Sequence, residues 1–258
     1  MDDGIARPHE VVSILTTRLD MPVRYTLTYI NFMLKLSSVD PRLAVLARTV
    51  KKLDKTYLSY AKIISLVESF IVMNKRCLSE VQVAEFGVGR GGSALILGWL
   101  VGHYGGDLIL FDTFRRIPPP SEKDGNRAGA RYDDILSNEH QDYYGNVLNL
   151  RKLVENELDT VCPPAQIHIV EGMYAETLSH YSRRKHLDLA HIDCDWYEST
   201  KEVLTYLRNR ISPEAIIQVD DYGYWPGAKL AVDESDWLSG KRKMIDDALR
   251  IDMQASDD

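Results

Sequence analysis

The sequence predicts an α/β protein in which a doubly wound, mostly parallel sheet is flanked by helices and preceded by a helical N-terminal extension. Two observations support this fold class. From residue 80 onward, short apolar runs alternate with stretches of helical periodicity, which is typical of β-α units. The 258 residues, 45% of them hydrophobic, are enough for one large domain of this class.

The segments before the alternating region are harder to interpret. Residues 23–36 are apolar and aromatic, and their pattern fits either a helix or an extended strand. Residues 57–78 carry apolar side chains at helical spacing and predict a helix that packs on the sheet. We therefore expect residues 1–56 to form an extension that contacts substrate or a second copy of the chain, and residues 57–258 to form the main domain.

Five apolar runs have the length of buried strands, and helical stretches separate them. The predicted strands are residues 81–86, 107–112, 166–170, 187–193 and 215–220. The predicted helices between them are residues 92–103, 143–160, 174–182 and 198–209. Ligands of such sheets bind at the carboxyl ends of the strands, so the residues that follow each run form the candidate site.

One connection interrupts the alternation. Residues 115–142 are polar and rich in proline and glycine. A connection of this length inside a compact domain is usually a lid, a binding loop or a disordered insert. We expect this insert to close over the candidate site and to exclude water from it.

Composition narrows the class of partner. The net charge of −7 and the isoelectric point near 5.5 argue against nucleic acid. No segment reaches the roughly 18 apolar residues that a membrane span needs. The three cysteines are widely spaced, without a CxxC pair, and the chain shows no signal peptide, which together predict a reducing cytoplasm. A small-molecule ligand is the remaining expectation.

A glycine-rich loop follows the first predicted strand. Residues 83–94 read VAEFGVGRGGSA, and no GK[ST] follows, which excludes a phosphate-binding P-loop. S-adenosylmethionine fits this loop, because glycine lets the backbone approach the aminocarboxyl tail and a helix begins near Gly91. Asp112 lies 23 residues after Gly89, where an acid would bind the ribose hydroxyls. A plain glycine turn between strand and helix is the alternative.

Three aspartates follow two of the later strands and carry the strongest signal. Asp193 ends one strand, and Asp220 and Asp221 end the next, 27 and 28 residues later. If these strands are neighbours, the carboxylates converge, and unpaired they would raise one another's pKa. A divalent cation would resolve this conflict, and oxygen ligands favour Mg²⁺, Mn²⁺ or Ca²⁺ over zinc. Helix capping or pairing with lysine and arginine is the alternative, although the next helix begins only near Pro226.

Aromatic residues accumulate beside these strand ends and are candidates for the wall of a substrate site. They are Trp196, Tyr197, Tyr222, Tyr224 and Trp225. His191, by contrast, alternates with apolar neighbours inside a predicted strand, and this pattern favours a packed histidine over a catalytic one.

The motifs together resemble those of a known family. VAEFGVGRGGSA, FDTFRRIPP, VEGMYAETL, HIDCDWYEST and VDDYGYWPGAKLAVDE are similar to the macrocin O-methyltransferase family, in order, over about residues 57–238. That family includes the macrolide-sugar and noviose O-methyltransferases of antibiotic biosynthesis. The resemblance implies a class I methyltransferase fold, S-adenosylmethionine and Mg²⁺ as cofactors, a homo-oligomer, and methylation of a hydroxyl on a small-molecule natural product such as a glycosylated antibiotic.

The resemblance also implies roles for individual residues. The residues implied at the S-adenosylmethionine site are Glu85, Gly87, Gly89 and Ser93 at the methionine end, Asp112 at the ribose, and Gly172, Met173 and Tyr174 near the adenine. The implied metal ligands are Asp193, Asp220 and Asp221, and Asp193 is also the implied general base.

Two rival functions remain at this level. The chain is also similar to metal-dependent catechol O-methyltransferases, whose lysine base lies three residues after the first metal ligand. Trp196 occupies that position here, which favours the sugar-hydroxyl branch and a carboxylate base. A cofactor-binding partner protein without catalysis is the second rival.

The end of the chain departs from the family fold. Class I methyltransferases end in an antiparallel pair of strands. Residues 249–255 fit the first strand of such a pair, and no final strand is evident after them.

Overall fold

The computed structural model describes residues 23–137, 143–181 and 186–254, and the remaining residues lie outside this description. The helices are α1 (Val23–Val39), α2 (Pro41–Lys52), α3 (Tyr60–Arg76), α4 (Gly92–Tyr104), α5 (Gly125–Leu136), α6 (Leu150–Leu158), α7 (Tyr174–Thr177), α8 (Tyr197–Leu207) and α9 (Pro226–Asp233). The strands are β1 (Gln82–Phe86), β2 (Asp107–Asp112), β3 (Ile167–Glu171), β4 (Leu187–Ile192), β5 (Ile211–Val219), β6 (Lys241–Ile245) and β7 (Ala248–Asp252). None of the described helices is long and apolar enough to cross a membrane.

The strands form one sheet in the order β3-β2-β1-β4-β5-β7-β6. Strands β1 to β5 run parallel, and β7 is antiparallel to both β5 and β6. The predicted α/β class and all five predicted strands are therefore confirmed. Because the chain order of the strands reverses at β1 and β4, the crevice above these two strands is the expected ligand site.

The prediction for the end of the chain is wrong in one respect. Residues 249–252 do belong to an antiparallel pair, but they form its last strand, and its partner β6 comes earlier in the chain. Strand β6 is an exposed edge strand with the sequence KRKMI, so it lacks the apolar run by which strands are detected. Asp246 and Asp247 make the tight turn between the two strands, and Asp246 has a φ of 54°.

Three helical predictions change in detail. Residues 23–39 form a helix, which decides the ambiguity between helix and strand. The predicted helix 143–160 is shorter, because Asn149 adopts a left-handed φ of 57° and α6 begins only after it. The predicted helix 174–182 is reduced to the four residues of α7, and residue 182 lies outside the described ranges.

The N-terminal helices share a core with one face of the sheet. Phe32 of α1, Leu43 of α2, Phe70 of α3 and Leu100 of α4 are buried in one apolar cluster. The opposite face has its own cluster, in which the rings of Phe86 and Phe111 stack. The helices of residues 23–52 are thus held on the sheet by apolar packing.

The described part of the insert, residues 115–137, contains regular structure. A short 3₁₀ turn at Glu122–Asp124 leads directly into α5. Ile117, Arg131 and Ile135 of the insert line a cavity of about 450 Å³. Residues 138–142 of the predicted insert lie outside the described ranges.

The shared core generates a prediction about stability. Phe70 is fully buried, so we expect Phe70→Ala to leave a cavity and lower the free energy of unfolding by about 3–5 kcal/mol. Leu34 on α1 is 66% exposed, and Leu34→Ala should change that free energy by less than about 0.5 kcal/mol. Urea denaturation followed by circular dichroism measures both. Equal effects of the two substitutions would contradict the assignment of the core.

Candidate active site

Three carboxylates meet at the carboxyl ends of β4 and β5. Asp193, Asp220 and Asp221 each offer an oxygen atom, and these atoms all lie within 4.8 Å of one another. The sheet register produces this convergence, because Ile192 of β4 pairs with Val219 of β5 and the aspartates follow directly. The expectation that these side chains come together is confirmed by their positions.

The electrostatics of this aspartate cluster are unfavourable without a counter-charge. Burial raises the pKa of Asp193 well above its usual value, and the nearby carboxylates of Asp220 and Asp195 add to the rise. Burial likewise raises the pKa of Asp221, with further contributions from Asp195 and Asp193. Repulsion of this kind is what a bound divalent cation removes, and the donor atoms are the hard oxygens that Mg²⁺ prefers.

A lysine from the N-terminal half of the chain partly compensates the negative charge of the aspartate cluster. Nζ of Lys62 on α3 donates to Oδ2 of Asp220 at 2.8 Å and lies 2.7 Å from Oδ1 of Asp247. The Lys62 side chain is only 7% exposed. The alternative that the aspartates pair with lysine is therefore partly realised at Asp220. Its other oxygen, Oδ1, is buried and has no hydrogen-bond partner within the described ranges.

Asp195 is a fourth carboxylate at the site. It has a left-handed φ of 57°, and its Oδ1 accepts a hydrogen bond from Nε1 of Trp225 at 2.8 Å. Burial raises the pKa of Asp195 to about 6, although the Trp225 hydrogen bond opposes the rise. Its backbone N–H donates to Oδ2 of Asp221 at 3.2 Å, which links it directly to the aspartate cluster.

The glycine loop passes against the aspartate cluster. Gly87 has a φ of 91°, and a Cβ atom at this position would lie 1.8 Å from the carbonyl oxygen of Asp193. Close packing of the two loops thus requires glycine here. Gly89, with a φ of 51°, also adopts a conformation that favours glycine, but a Cβ atom there would meet only the Tyr144 ring, at 3.9 Å.

Asp112 organises this loop from the end of β2. Its Oδ2 accepts hydrogen bonds from the backbone N–H groups of Val88 at 2.6 Å and Gly89 at 3.0 Å. Its Oδ1 accepts one from the N–H of Phe114 at 2.5 Å. Burial raises the pKa of Asp112 despite these three hydrogen bonds. The ribose-binding role of Asp112 stays a prediction, and what the structure shows is that Asp112 fixes the glycine loop.

Two adjoining cavities contain most of the residues assigned from the sequence. The larger has a volume of about 450 Å³ and is bordered by the three aspartates together with Gly87, Gly89 and Ser93. The smaller, of about 50 Å³, is bordered by Asp112, Gly172, Met173 and Tyr174. Gly87, Tyr144, Asp193 and Asp195 belong to both walls, so the cavities meet at the end of β4.

Glu85 is placed differently from the other assigned residues. It is fully buried, its Oε1 lies 2.9 Å from Nδ1 of His191, and it lines neither of these two cavities. Glu85 and His191 are direct cross-strand partners on β1 and β4, which explains the pairing. His191 is thus packed inside the sheet, as its position in the strand pattern predicted.

The aromatic wall differs in membership from the one expected. Trp196, Tyr224 and Trp225 line the larger cavity, whereas Tyr197 packs in the core and the Tyr222 hydroxyl donates to Asp233. The added aromatic members from outside the strand ends are Tyr57, Tyr143 and Tyr144. No motif in the sequence pointed to these three tyrosines or to Lys62, because they reach the site from segments that are distant in the chain.

The strand order, the glycine loop and the position of the acidic residues define the protein as a class I methyltransferase of the O-methyltransferase type. The family model described as Macrocin-O-methyltransferase (TylF) matches residues 72–256. The chain therefore belongs to this family, and the resemblance inferred from the motifs is confirmed.

Individual relatives agree with this assignment. The demethyldecarbamoylnovobiocin O-methyltransferase of Streptomyces niveus is 28% identical over 192 residues, which cover 69% of this chain and 68% of that protein. The structure of the O-methyltransferase NovP is similar with a TM-score of 0.64 at 22% identity, covering 78% of this chain and 82% of that one. The calicheamicin methyltransferase CalS11 is similar with a TM-score of 0.59 at 20% identity, covering 98% and 99% of the two chains.

The contact between the two loops generates a prediction. The loop of residues 193–196, called the Asp193 loop below, follows β4. We expect Gly87→Ala to force the glycine loop and the Asp193 loop apart, which should lower the free energy of unfolding by about 3 kcal/mol or more. Gly89→Ala is the matched control in the same loop, and its strained φ should cost only about 1 kcal/mol. Thermal and urea denaturation report both values. A Gly87→Ala protein as stable as the control would disprove the close contact.

Proposed function

We propose that the protein is an S-adenosylmethionine- and Mg²⁺-dependent O-methyltransferase that methylates a hydroxyl of a small-molecule natural product, specifically a sugar hydroxyl of a glycosylated antibiotic. The observation that carries the proposal is the convergence of three aspartate oxygens within 4.8 Å beside a glycine loop. The substrate class is supported by the relatives, whose names refer to novobiocin and calicheamicin.

S-adenosylmethionine would lie across the junction of the two cavities. The glycine loop and Ser93, at the start of α4, would hold the methionine end, since a glycine backbone and a helix N-terminus suit a carboxylate. Asp112 would bind the ribose, and Gly172, Met173 and Tyr174 would border the adenine. Gly87 borders both cavities, and this position at their junction supports the fit. Glu85 would act indirectly, through the His191 pair that fixes the end of β1.

The aspartate cluster fits Mg²⁺ in its donor chemistry and its charge. Asp193, Asp220 and Asp221 would be the ligands, and the buried Oδ1 of Asp220 has no hydrogen-bond partner among the described residues. A divalent cation at this position supplies the positive charge that lowers the pKa of an alcohol. Lys62 would act beside the ligands by holding the other oxygen of Asp220.

The methyl transfer itself needs orientation and removal of one proton. The acceptor oxygen forms a bond to the methyl carbon, the carbon–sulfur bond breaks, and the sulfur leaves with its electron pair as S-adenosylhomocysteine. The hydroxyl proton passes to a carboxylate. Asp193 is the base that the family resemblance implies. Asp195 is the second candidate, because it lines the same cavity while standing outside the proposed ligand set.

The catechol-type alternative gains no support from the lysine in the site. Burial lowers the pKa of Lys62, but its ion pairs with Asp220 and Asp247 outweigh this effect, so its pKa lies above the usual value. Both ion pairs hold Nζ of Lys62 against carboxylates, which is a charge-compensating role and gives no support for a lysine base. Trp196 is buried, and its Nε1 donates to the carbonyl of Pro118, which is a structural contact.

The larger cavity would hold the acceptor. Its volume of about 450 Å³ and its aromatic and polar lining suit a sugar with an attached aglycone. Lys55 and Thr56, the last two residues of the N-terminal extension, line this cavity, which supports the proposal that the extension contacts substrate. We also propose that the protein forms a homo-oligomer, supported by the exposed Leu34 on α1 and Val45 on α2.

A cytoplasmic location is supported by three free cysteines.

The first prediction separates the two candidate bases. We expect Asp193→Asn to lose both Mg²⁺ binding and turnover, the latter by about 10²–10⁴-fold, while S-adenosylhomocysteine still binds. If Asp195 is the base, Asp195→Asn will lose turnover to a similar degree and keep Mg²⁺ binding. Isothermal calorimetry and a methyl-transfer assay measure the two properties. Asp236→Asn is the matched control, because Asp236 is 80% exposed and away from the site.

The outcomes of this comparison are distinct. Full turnover in Asp193→Asn would remove Asp193 from the mechanism. Full turnover in Asp195→Asn, with Asp193→Asn inactive, would leave Asp193 as the base.

A second prediction concerns the metal and the acceptor. Excess chelator should abolish methyl transfer, and added Mg²⁺ should restore it, because the proposed ligands are all carboxylates. Asp220→Asn should weaken Mg²⁺ binding in calorimetry without weakening binding of S-adenosylhomocysteine. Full activity in chelator would exclude the metal role. Methylation of flat catechols in preference to glycosides would replace the sugar-hydroxyl proposal with the phenolic one.

A further inference from the structure

A buried carboxylate of the insert makes direct contact with the helix that follows the Asp193 loop. Asp124, at the end of the 3₁₀ turn before α5, is 0% exposed. Its Oδ1 accepts a hydrogen bond from the backbone N–H of Tyr197 at 2.6 Å. Its Oδ2 accepts hydrogen bonds from the N–H and the hydroxyl of Ser121, at 2.7 and 2.9 Å. A buried carboxylate without such partners would be strongly destabilising, so these hydrogen bonds fix its position.

The contact supplies helix α8 with a cap that its own sequence lacks. The residue at the N-cap position is Trp196, which forms no side-chain capping hydrogen bond with any described residue. Asp124 takes this role from a distance of 73 residues along the chain. A carboxylate at a helix N-terminus satisfies a free N–H group and interacts favourably with the helix dipole.

The neighbouring helix is shaped to admit this carboxylate. Gly227 is the second residue of α9, which follows the loop that carries Asp220 and Asp221. A Cβ atom at Gly227 would lie 1.8 Å from Oδ1 of Asp124 and 3.0 Å from Cβ of Tyr197. Asp124 therefore occupies the junction between the N-termini of α8 and α9, where any side chain larger than that of glycine would displace it.

A second bond ties the insert to the same loop. Nε1 of Trp196 donates to the carbonyl of Pro118 at 2.9 Å. The loop of residues 193–196 is thus held at one end by β4 and at the other by the insert. Between these points lies Asp195, in its left-handed conformation, and such a conformation persists only where the surroundings enforce it.

We propose that Asp124 is a positioning residue of the active site, and that the insert holds the Asp193–Asp195 loop in its working geometry through the Asp124–Tyr197 hydrogen bond. The inference rests on the proposed function only in assigning that loop to catalysis. The insert then has two tasks, since it lines the larger cavity with Ile117, Arg131 and Ile135 and also orients the carboxylates of the loop.

The test compares two glycine substitutions on the full-length protein. Gly227→Ala introduces a methyl group against Oδ1 of Asp124 and changes no polar group. Gly129→Ala, on α5 of the insert, is the matched control, because a Cβ atom there meets nothing within 4 Å. We expect Gly227→Ala to lower kcat by about 10–100-fold, since misplacement of reacting groups by about 1 Å has effects of this size. KM for S-adenosylmethionine should stay unchanged, and the control should match the wild type.

Hydrogen exchange provides a readout that does not depend on methyl transfer. The Tyr197 amide should exchange faster in Gly227→Ala than in the wild type or in Gly129→Ala, because its acceptor is displaced. Asp124→Ala, which removes the acceptor and introduces no clash, should show the same change if Gly227→Ala fails to fold. A wild type without methyl transfer would defeat the proposed function, yet the exchange measurement would still decide this inference.

A double substitution tests whether the two positions act together. Asp124→Ala removes the atom that Gly227→Ala would strike, so the double variant should have the same kcat as Asp124→Ala alone. Independent, multiplying effects would mean that Gly227 acts elsewhere.

Unchanged kcat and unchanged Tyr197 exchange in both single variants would overturn the proposal. A loss of stability with parallel loss of binding of both substrates would reduce Asp124 to a structural role and would also overturn it.

Discussion

The repulsion among buried carboxylates is the constraint around which this protein is organised. Parallel strands β4 and β5 deliver Asp193, Asp220 and Asp221 to one point on the wall of the larger cavity, where each raises the free energy of its neighbours. The fold tolerates this arrangement because a lysine from α3 bonds to one carboxylate and a backbone amide from Asp195 bonds to another. The charge that remains is the feature that a divalent cation would use.

The glycine loop and the Asp193 loop are both fixed by contacts with residues from other parts of the chain. Asp112 bonds the glycine loop from β2, and Gly87 allows that loop to touch the carbonyl of Asp193. Asp124 bonds the far end of the Asp193 loop from the insert. Asp112 and Asp124 are buried carboxylates, and both accept directional hydrogen bonds from backbone N–H groups. The site is therefore fixed by hydrogen bonds where apolar packing alone would leave it loose.

The N-terminal helices are attached by apolar packing, whereas the insert combines apolar packing with polar contacts. Residues 23–52 are attached by apolar packing of side chains such as Phe32 and Leu43, which is strong but not directional. The insert is attached by two hydrogen bonds to residues 196 and 197 and by stacking of Arg127 on the rings of Tyr224 and Trp225. Ala128 of the insert adds apolar packing in a buried cluster with Trp196 and Trp225. The match to the Macrocin-O-methyltransferase (TylF) family model begins at residue 72. Lys62 therefore lies outside the matched region.

The sequence by itself determined the α/β class, the five parallel strands and the meeting of the three aspartates. These features depend on apolar periodicity and on residues that directly follow strands, and both are local properties of the chain. Only the tertiary structure decided the place of β6, the pairing of Lys62 with Asp220, the burial of Glu85 against His191, and the contact of Asp124 with Tyr197. The edge strand β6 is polar because one side of it faces no neighbour, so it leaves no apolar signal. The three polar contacts join residues that are 73 to 158 positions apart in the chain. Such contacts depend on how distant segments pack together, so no local pattern in the sequence predicts them.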